Sequence, residues 1–250
     1  MSRTLAAAAA TLAASALAAV SVTVASASPS SPPAPANPPG QTRLSDEATI
    51  TRWATAVAPG RAYAAPSSHA RRIGRLRFAT EDGFPEVYLV LAQFRDAHGT
   101  AWMRVRLPQR PNNTTGWVVR AALSDLRVVH TKLVVSRRTL RLTLYDRGRR
   151  VFRAPVGIGK PSTPTPAGSF WVREKFRVKG NPLYGTRALG TAAYSNALTD
   201  WPGGGIIGLH GTSRPGLVPG RPSHGCVRLR NRDIERLYAL TPVGTPVLIR

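Results

Sequence analysis

Apolar and polar residues alternate from residue 140 to 145: Leu140, Leu142 and Leu144 are separated by Arg141 and Thr143, with Tyr145 following. A period of two is that of a strand with one buried face. Asp146-Arg147-Gly148 reads as a turn, and Val151-Phe152 opens a returning strand. The period changes near the C-terminal end. There Ile234, Leu237 and Tyr238 recur at i, i+3 and i+4, predicting a short helix with one buried stripe. Asn231 stands where a cap belongs, Asp233 and Glu235 fall in the first turn, and Thr241-Pro242 ends the helix. Residues 243–249 close as a strand. Between these elements, Thr163-Pro-Thr-Pro-Ala-Gly168 is a stiff loop, because each proline fixes φ and removes a donor.

Residues 43–124 carry shorter apolar runs, among them Val87-Tyr88-Leu89-Val90-Leu91 and Trp102-Met103-Arg104-Val105-Arg106-Leu107. Turn-like stretches at 96–99 and 111–116 break them, and strands at this spacing predict a small β barrel. Trp102, Val105, Gly116-Trp117-Val118 and Leu123 resemble bacterial SH3-like domains. Wall binding and a packing or spacer role suit such a module equally.

The N-terminal end has a different character. Arg3 precedes an Ala/Leu/Val run from Leu5 to about Val24, followed by Ala25-Ser26-Ala27. A short cationic head, an apolar stretch and an Ala-x-Ala site describe a secretory signal peptide over residues 1–27. No stable membrane span is expected after cleavage. Residues 28–42 follow as a proline-rich linker, extended and uncharged up to Gly40. The expected product is a secreted protein, held in the cell wall or elsewhere outside the cytoplasm, with a first domain over 43–124 and a second over 125–250.

Charge narrows the partners. The 250 residues carry 35 Lys+Arg against 12 Asp+Glu, a net +23. Residues 43–124 hold 12 Arg and 6 acids, or +6, whereas 125–250 hold 22 basic residues and 6 acids, or +16. A surface this basic attracts polyanions. No helix-turn-helix, zinc-finger or RNA-binding signature is present, so nucleic acid is not expected. Anionic wall polymers remain candidates, beside the plain alternative of arginines spread over solvated faces. A 42% hydrophobic fraction excludes a wholly disordered chain, and the one cysteine excludes a disulfide scaffold.

That cysteine lies in the most informative segment. Leu209-His210-Gly211-Thr212 precedes a Gly/Pro-rich loop and then Ser223-His224-Gly225-Cys226-Val227-Arg228-Leu229. A thiolate is the nucleophilic form of cysteine, and neighbouring cations or histidine favour it. A returning loop places the His210 imidazole near Cys226 as its base. Gly225 lets a substrate approach the backbone, and the N–H groups of Gly225 and Cys226 can hold an oxyanion. The expectation is an ionised sulfur beside an imidazole in an open groove. Two other readings stay open: an inert buried cysteine with satisfied histidines, and zinc held by His210, His224 and Cys226, with the last two sharing a strand face.

His210-Gly-Thr followed by Ser223-His-Gly-Cys-Val-Arg228 resembles the signature of L,D-transpeptidases with a YkuD-type catalytic domain, over about residues 126–250. Thr165-Pro-Ala-Gly168-Ser-Phe170 and the closing Gly244-Thr-Pro-Val247 share in the resemblance. It implies a mainly β chain: a small SH3-like barrel, then a β-rich catalytic domain with a short helix. It implies Cys226 as nucleophile, His210 as base and the Gly211 carbonyl as orienter of His210. Ser223, His224 and Arg228 would bind substrate or order the site. No metal and no cofactor are implied. The implied reaction is acyl transfer on peptidoglycan stem peptides, releasing D-Ala from a tetrapeptide and forming 3→3 cross-links. Water as acceptor would make it an L,D-carboxypeptidase, and a non-catalytic wall-polymer-binding protein is the remaining alternative. Tyr184 and Trp201 can shape the pocket.

Overall fold

A computed structural model describes residues 38–200 and 202–250. The expected signal segment, most of the proline-rich linker, and Trp201 lie outside the described residues. The described chain is mainly β, with two sheets and one short α-helix.

Strands β1 (Thr42–Arg43), β2 (Thr51–Ala54), β3 (Arg61–Tyr63), β4 (Arg72–Arg75), β5 (Tyr88–Arg95), β6 (Ala101–Arg106), β7 (Thr115–Val119) and β8 (Arg127–Val129) form the first sheet. Its order is β4-β3-β7-β6-β5-β2-β8, with β1 paired to β5. The alternating residues of β5 and β6 bury Tyr88, Val90, Met103 and Val105 in one cluster with Val118 and Leu76. Trp102 and Trp117 form a smaller aromatic cluster with Tyr63.

The second sheet has ten strands: β9 (Thr131–Ser136), β10 (Arg141–Asp146), β11 (Arg149–Pro155), β12 (Gly157–Gly159), β13 (Gly168–Arg177), β14 (Arg187–Tyr194), β15 (Ile206–His210), β16 (Gly220–Ser223), β17 (Val227–Arg228) and β18 (Pro246–Ile249). They run in the order β11-β10-β9-β18-β13-β14-β15-β17-β12-β16. The turn joining β10 to β11 puts Arg147 at φ 46° and Gly148 at φ 77°. Left-handed φ at two successive residues matches the natural twist of a hairpin. Leu142 and Leu144 of β10 are fully buried with Leu133 and Val135 of β9, as the alternation requires.

Helix α1 (Asn231–Leu240) sets Ile234 and Leu237 into the same core as Leu209, Val227 and Leu229. Its start differs from the sequence reading. Arg230 is the N-cap residue, and no side chain caps the helix. Asn231 is already inside it, and its Oδ1 accepts a hydrogen bond from the Thr212 N–H at 3.0 Å. The amide serves the loop after β15 rather than its own helix, and of the two acids only Asp233 lies in the first turn.

The sheets meet through buried charge. Arg173 of β13 bonds through Nε to Glu86 at 2.7 Å and through Nη2 to both Glu86 and Glu81. Trp171 Nε1 donates to the Val87 carbonyl at 2.7 Å, and Thr80 Oγ1 donates to Glu174 at 2.5 Å. Arg173, Glu86 and Glu174 are all buried. Such a pair is costly to desolvate, and removing either partner costs about 3–5 kcal/mol because a lone charge remains inside.

Candidate active site

Three neighbouring strands build the site. β15 and β17 run parallel, pairing Leu209 with Val227 and His210 with Arg228. Side chains alternate across a sheet. Ile207, Leu209, Val227 and Leu229 face the core. The alternation puts His210 and Arg228, paired across β15 and β17, on the opposite face. Cys226 stands just before β17, beside Gly208, whose N–H donates to its Sγ at 3.4 Å. A Cβ on Gly208 would meet only the Leu189 carbonyl oxygen, at 3.5 Å.

The imidazole is fixed on one side. Its Nδ1 lies 2.6 Å from the Gly211 carbonyl oxygen. A carbonyl only accepts, so Nδ1 carries the proton and Nε2 keeps its lone pair. The Tyr184 ring packs on the imidazole, with centroids 4.6 Å apart and planes tilted by 50°. His210 is buried, and that burial draws its pKa down to about 4, against the Gly211 contact and with help from the Arg228 charge. The imidazole is neutral at neutral pH and ready to accept a proton.

The sulfur departs from expectation. Cys226 as a residue is half-buried, but burial of its thiol raises the pKa, outweighing the Gly208 N–H and the Arg228 charge, both of which lower it. The resting pair is thus neutral thiol and neutral imidazole, not a preformed ion pair.

The turn that presents Cys226 is tied at every residue. Ser223 Oγ donates to the Cys226 carbonyl at 2.6 Å and accepts the Gly225 N–H at 3.1 Å. The Gly225 amide, expected as an oxyanion donor, is committed to Ser223 here. Ser223 is itself buried and orders the turn. Thr165 Oγ1 donates to the Gly225 carbonyl at 2.7 Å and accepts the Gly159 N–H at 2.9 Å. Gly225 has φ +127°, and a Cβ there would lie 2.7 Å from Ile207 Cδ1. This is a position only glycine fills without strain.

His224 is exposed and sits in the bend between β16 and β17. Residues 224 and 226 are not on a strand, so the shared face on which the zinc reading rested does not exist. Among the described residues, no three His, Cys, Asp or Glu side chains are grouped as a metal ion would need. Arg228, directly across from His210, keeps a buried Nε with no partner.

Residue patterns gave no role at this site to Gly208, Thr165, Gly185 or Asn231. The motif around Thr165 was visible, but its bond to the cysteine turn spans sixty positions of sequence. Gly185, at φ +69°, packs against Gly211 and Asn231, and so seats Tyr184 over the imidazole.

The chain is similar to known proteins. The model of the YkuD family, the L,D-transpeptidase catalytic domain, matches residues 130–249. YqjB of Bacillus subtilis, a protein named for L,D-transpeptidase activity, is 33% identical over 125 residues, covering 47% of this chain and 69% of that one. YkuD of the same organism, named likewise, is 31% identical over 120 residues, covering 48% of this chain and 65% of its own length. A solved catalytic domain of the E. faecium L,D-transpeptidase is 26% identical, covering 48% of this chain and 96% of that one, with a TM-score of 0.36. The chain belongs to the YkuD family of L,D-transpeptidases. It spans just under two thirds of the length of the YkuD relative itself. Among the described residues, no helix is long and apolar enough to cross a membrane.

Proposed function

We propose that this chain is a peptidoglycan L,D-transpeptidase acting through a Cys226 acyl-enzyme. His210 Nε2 takes the Sγ proton as the sulfur attacks the carbonyl of residue three of a tetrapeptide stem. The tetrahedral oxyanion is held by the Cys226 N–H, with Gly225 joining only if Ser223 releases its amide. The intermediate collapses to a thioester, and the imidazolium returns the proton to the departing D-Ala amine. A side-chain amine of a second stem then attacks the thioester, its proton passing to His210, to give a 3→3 cross-link and the free thiol. Arg228, with an uncommitted buried Nε, is assigned to a substrate carboxylate.

One observation carries this reading: the Gly211 carbonyl pins Nδ1 of His210, the last residue of β15, and the N–H of Gly208 in the same strand meets the Cys226 sulfur. The protein is read as exported on the strength of residues 1–27, and the first sheet as an SH3-like module built on Trp102, Val105 and Trp117.

Incubation with a carbapenem followed by intact-mass measurement tests the nucleophile. Wild type should gain the mass of the drug, and Cys226→Ala should not. With tetrapeptide stems, wild type should yield cross-linked dimer and free D-Ala. Tripeptide without dimer would mean that water is the acceptor. Dimer formation by Cys226→Ala would overturn the mechanism.

A further inference from the structure

The chemistry at Cys226 leaves most of the positive charge of the second half unused. Four arginines, Arg137, Arg138, Arg221 and Arg250, line a cavity of about 390 Å³ whose wall includes Thr165. No Asp or Glu side chain lines it, and among the described residues none of the four takes part in an ion pair. Two of them are fixed by main-chain carbonyls: Arg137 Nη1 donates to Thr165 O at 3.0 Å, and Arg221 Nη2 donates to Arg137 O at 3.2 Å. The Nε of Arg137 is buried and has no partner.

Four guanidinium charges around one cavity repel each other, and no Asp or Glu side chain in its wall relieves them. An anion does so, and the planar guanidinium fork fits the oxygens of a phosphate in pairs. The surroundings favour a chain of such groups over a single ion. Arg138 lies in the turn from β9 to β10, and exposed Arg141 and Arg153 continue along β10 and the edge strand β11. We propose that the Arg137–Arg138–Arg221–Arg250 cavity binds a phosphate group of a phosphodiester-linked polymer, whose further phosphates follow the arginines of the neighbouring hairpin. A polymer held there lies beside the Thr165 loop that braces the cysteine turn. The site stands or falls apart from the chemistry assigned to Cys226.

Labelled poly(glycerol phosphate) is titrated with the full chain, and binding is read by fluorescence anisotropy. The comparison is between wild type, Arg138→Gln/Arg250→Gln, and the charge-matched control Arg71→Gln/Arg72→Gln on exposed residues of the first half. Neither substituted side chain in the cavity variant holds a structural hydrogen bond, and an unchanged melting temperature confirms its fold. The cavity variant should bind at least tenfold more weakly, and the control should stay within twofold of wild type. Equal losses in both variants would mean diffuse attraction and would overturn the site. The polymer assignment fails if only inorganic phosphate binds. It fails too if vesicles of 70:30 phosphatidylcholine and phosphatidylglycerol bind wild type with the same dependence on Arg138 and Arg250 while the polymer does not.

Discussion

His210 holds its Nδ1 2.6 Å from the carbonyl oxygen of Gly211, and this contact leaves the lone pair on Nε2. Burial keeps the ring neutral down to about pH 4. In the unfolded chain the same ring takes a proton near pH 6.5. Between about 6.5 and 4 the unfolded state binds the extra proton, so stability falls as pH falls through that window, by about 3 kcal/mol in all.

The catalytic consequence is an acid limb of kcat/KM with an apparent pKa near 4, well below that of a free histidine. A kcat/KM profile from pH 3.5 to 8 checks it. A limb at 6 to 6.5 would mean that the imidazole is solvated and that burial does not set its titration.

Thr165→Val removes the hydroxyl that joins Gly159 to Gly225 and leaves a buried N–H and a buried carbonyl unpaired. Unmade buried hydrogen bonds cost about 1–3 kcal/mol each. The expected result is a kcat lowered by about tenfold or more, an unchanged KM and an unchanged pH profile, with activity recovered by Thr165→Ser. Steady-state kinetics on the three proteins decides it, and a rise in KM alone would place Thr165 in substrate binding.

Gly211→Ala should cost both stability and turnover. A Cβ at this position overlaps Asn231 Oδ1 and lies 3.0 Å from Gly185 Cα, so the helix start or the Tyr184 segment must shift. Overpacking of this kind costs about 1–3 kcal/mol. Gly216→Ala, where nothing lies within 4 Å of the new methyl, should leave both quantities unchanged. Thermal melts beside turnover numbers test the pair, and equal behaviour of the two variants would contradict the packing described.

Glu174 lies far from the thiol, at the joint between the sheets. Burial raises its carboxyl to about pH 7, with Thr80 opposing the shift and neighbouring Asp82 adding to it; Arg173 pulls the other way. The folded pKa lies above the unfolded one, so the stabilisation is complete below about 4.5 and is lost as pH rises through 7. Glu174→Gln keeps an acceptor for Thr80 and removes the ionisation. It should be more stable than wild type at pH 8, by about 3 kcal/mol, and indistinguishable from it at pH 4.5. Urea unfolding at both pH values measures this, and a pH-independent difference would sink it.

Strand alternation in residues 140–145 and the stripe of Ile234, Leu237 and Tyr238 were legible because both periods are local. Cys226 and His210 stood out in the sequence through the family resemblance of the segments that hold them, and the structure puts those segments in adjacent strands. What stayed hidden depends on contacts distant in sequence. Asn231 looked like a cap but serves Thr212, since a side chain one turn from a loop can bond outward as readily as inward. Sulfur ionisation was misjudged because residue neighbours in sequence reveal nearby charges, whereas the depth of burial that outweighs them is set by the whole sheet.

Arg173 also bears on how the chain can be divided. A fragment freed by cleavage near His130 would leave this guanidinium without Glu81 and Glu86, which belong to the other piece. Trp171 would lose its acceptor at the same stroke. The front half therefore serves as the counter-ion of the rear one, and a cut in the connection that separates the two should destabilise the rear half.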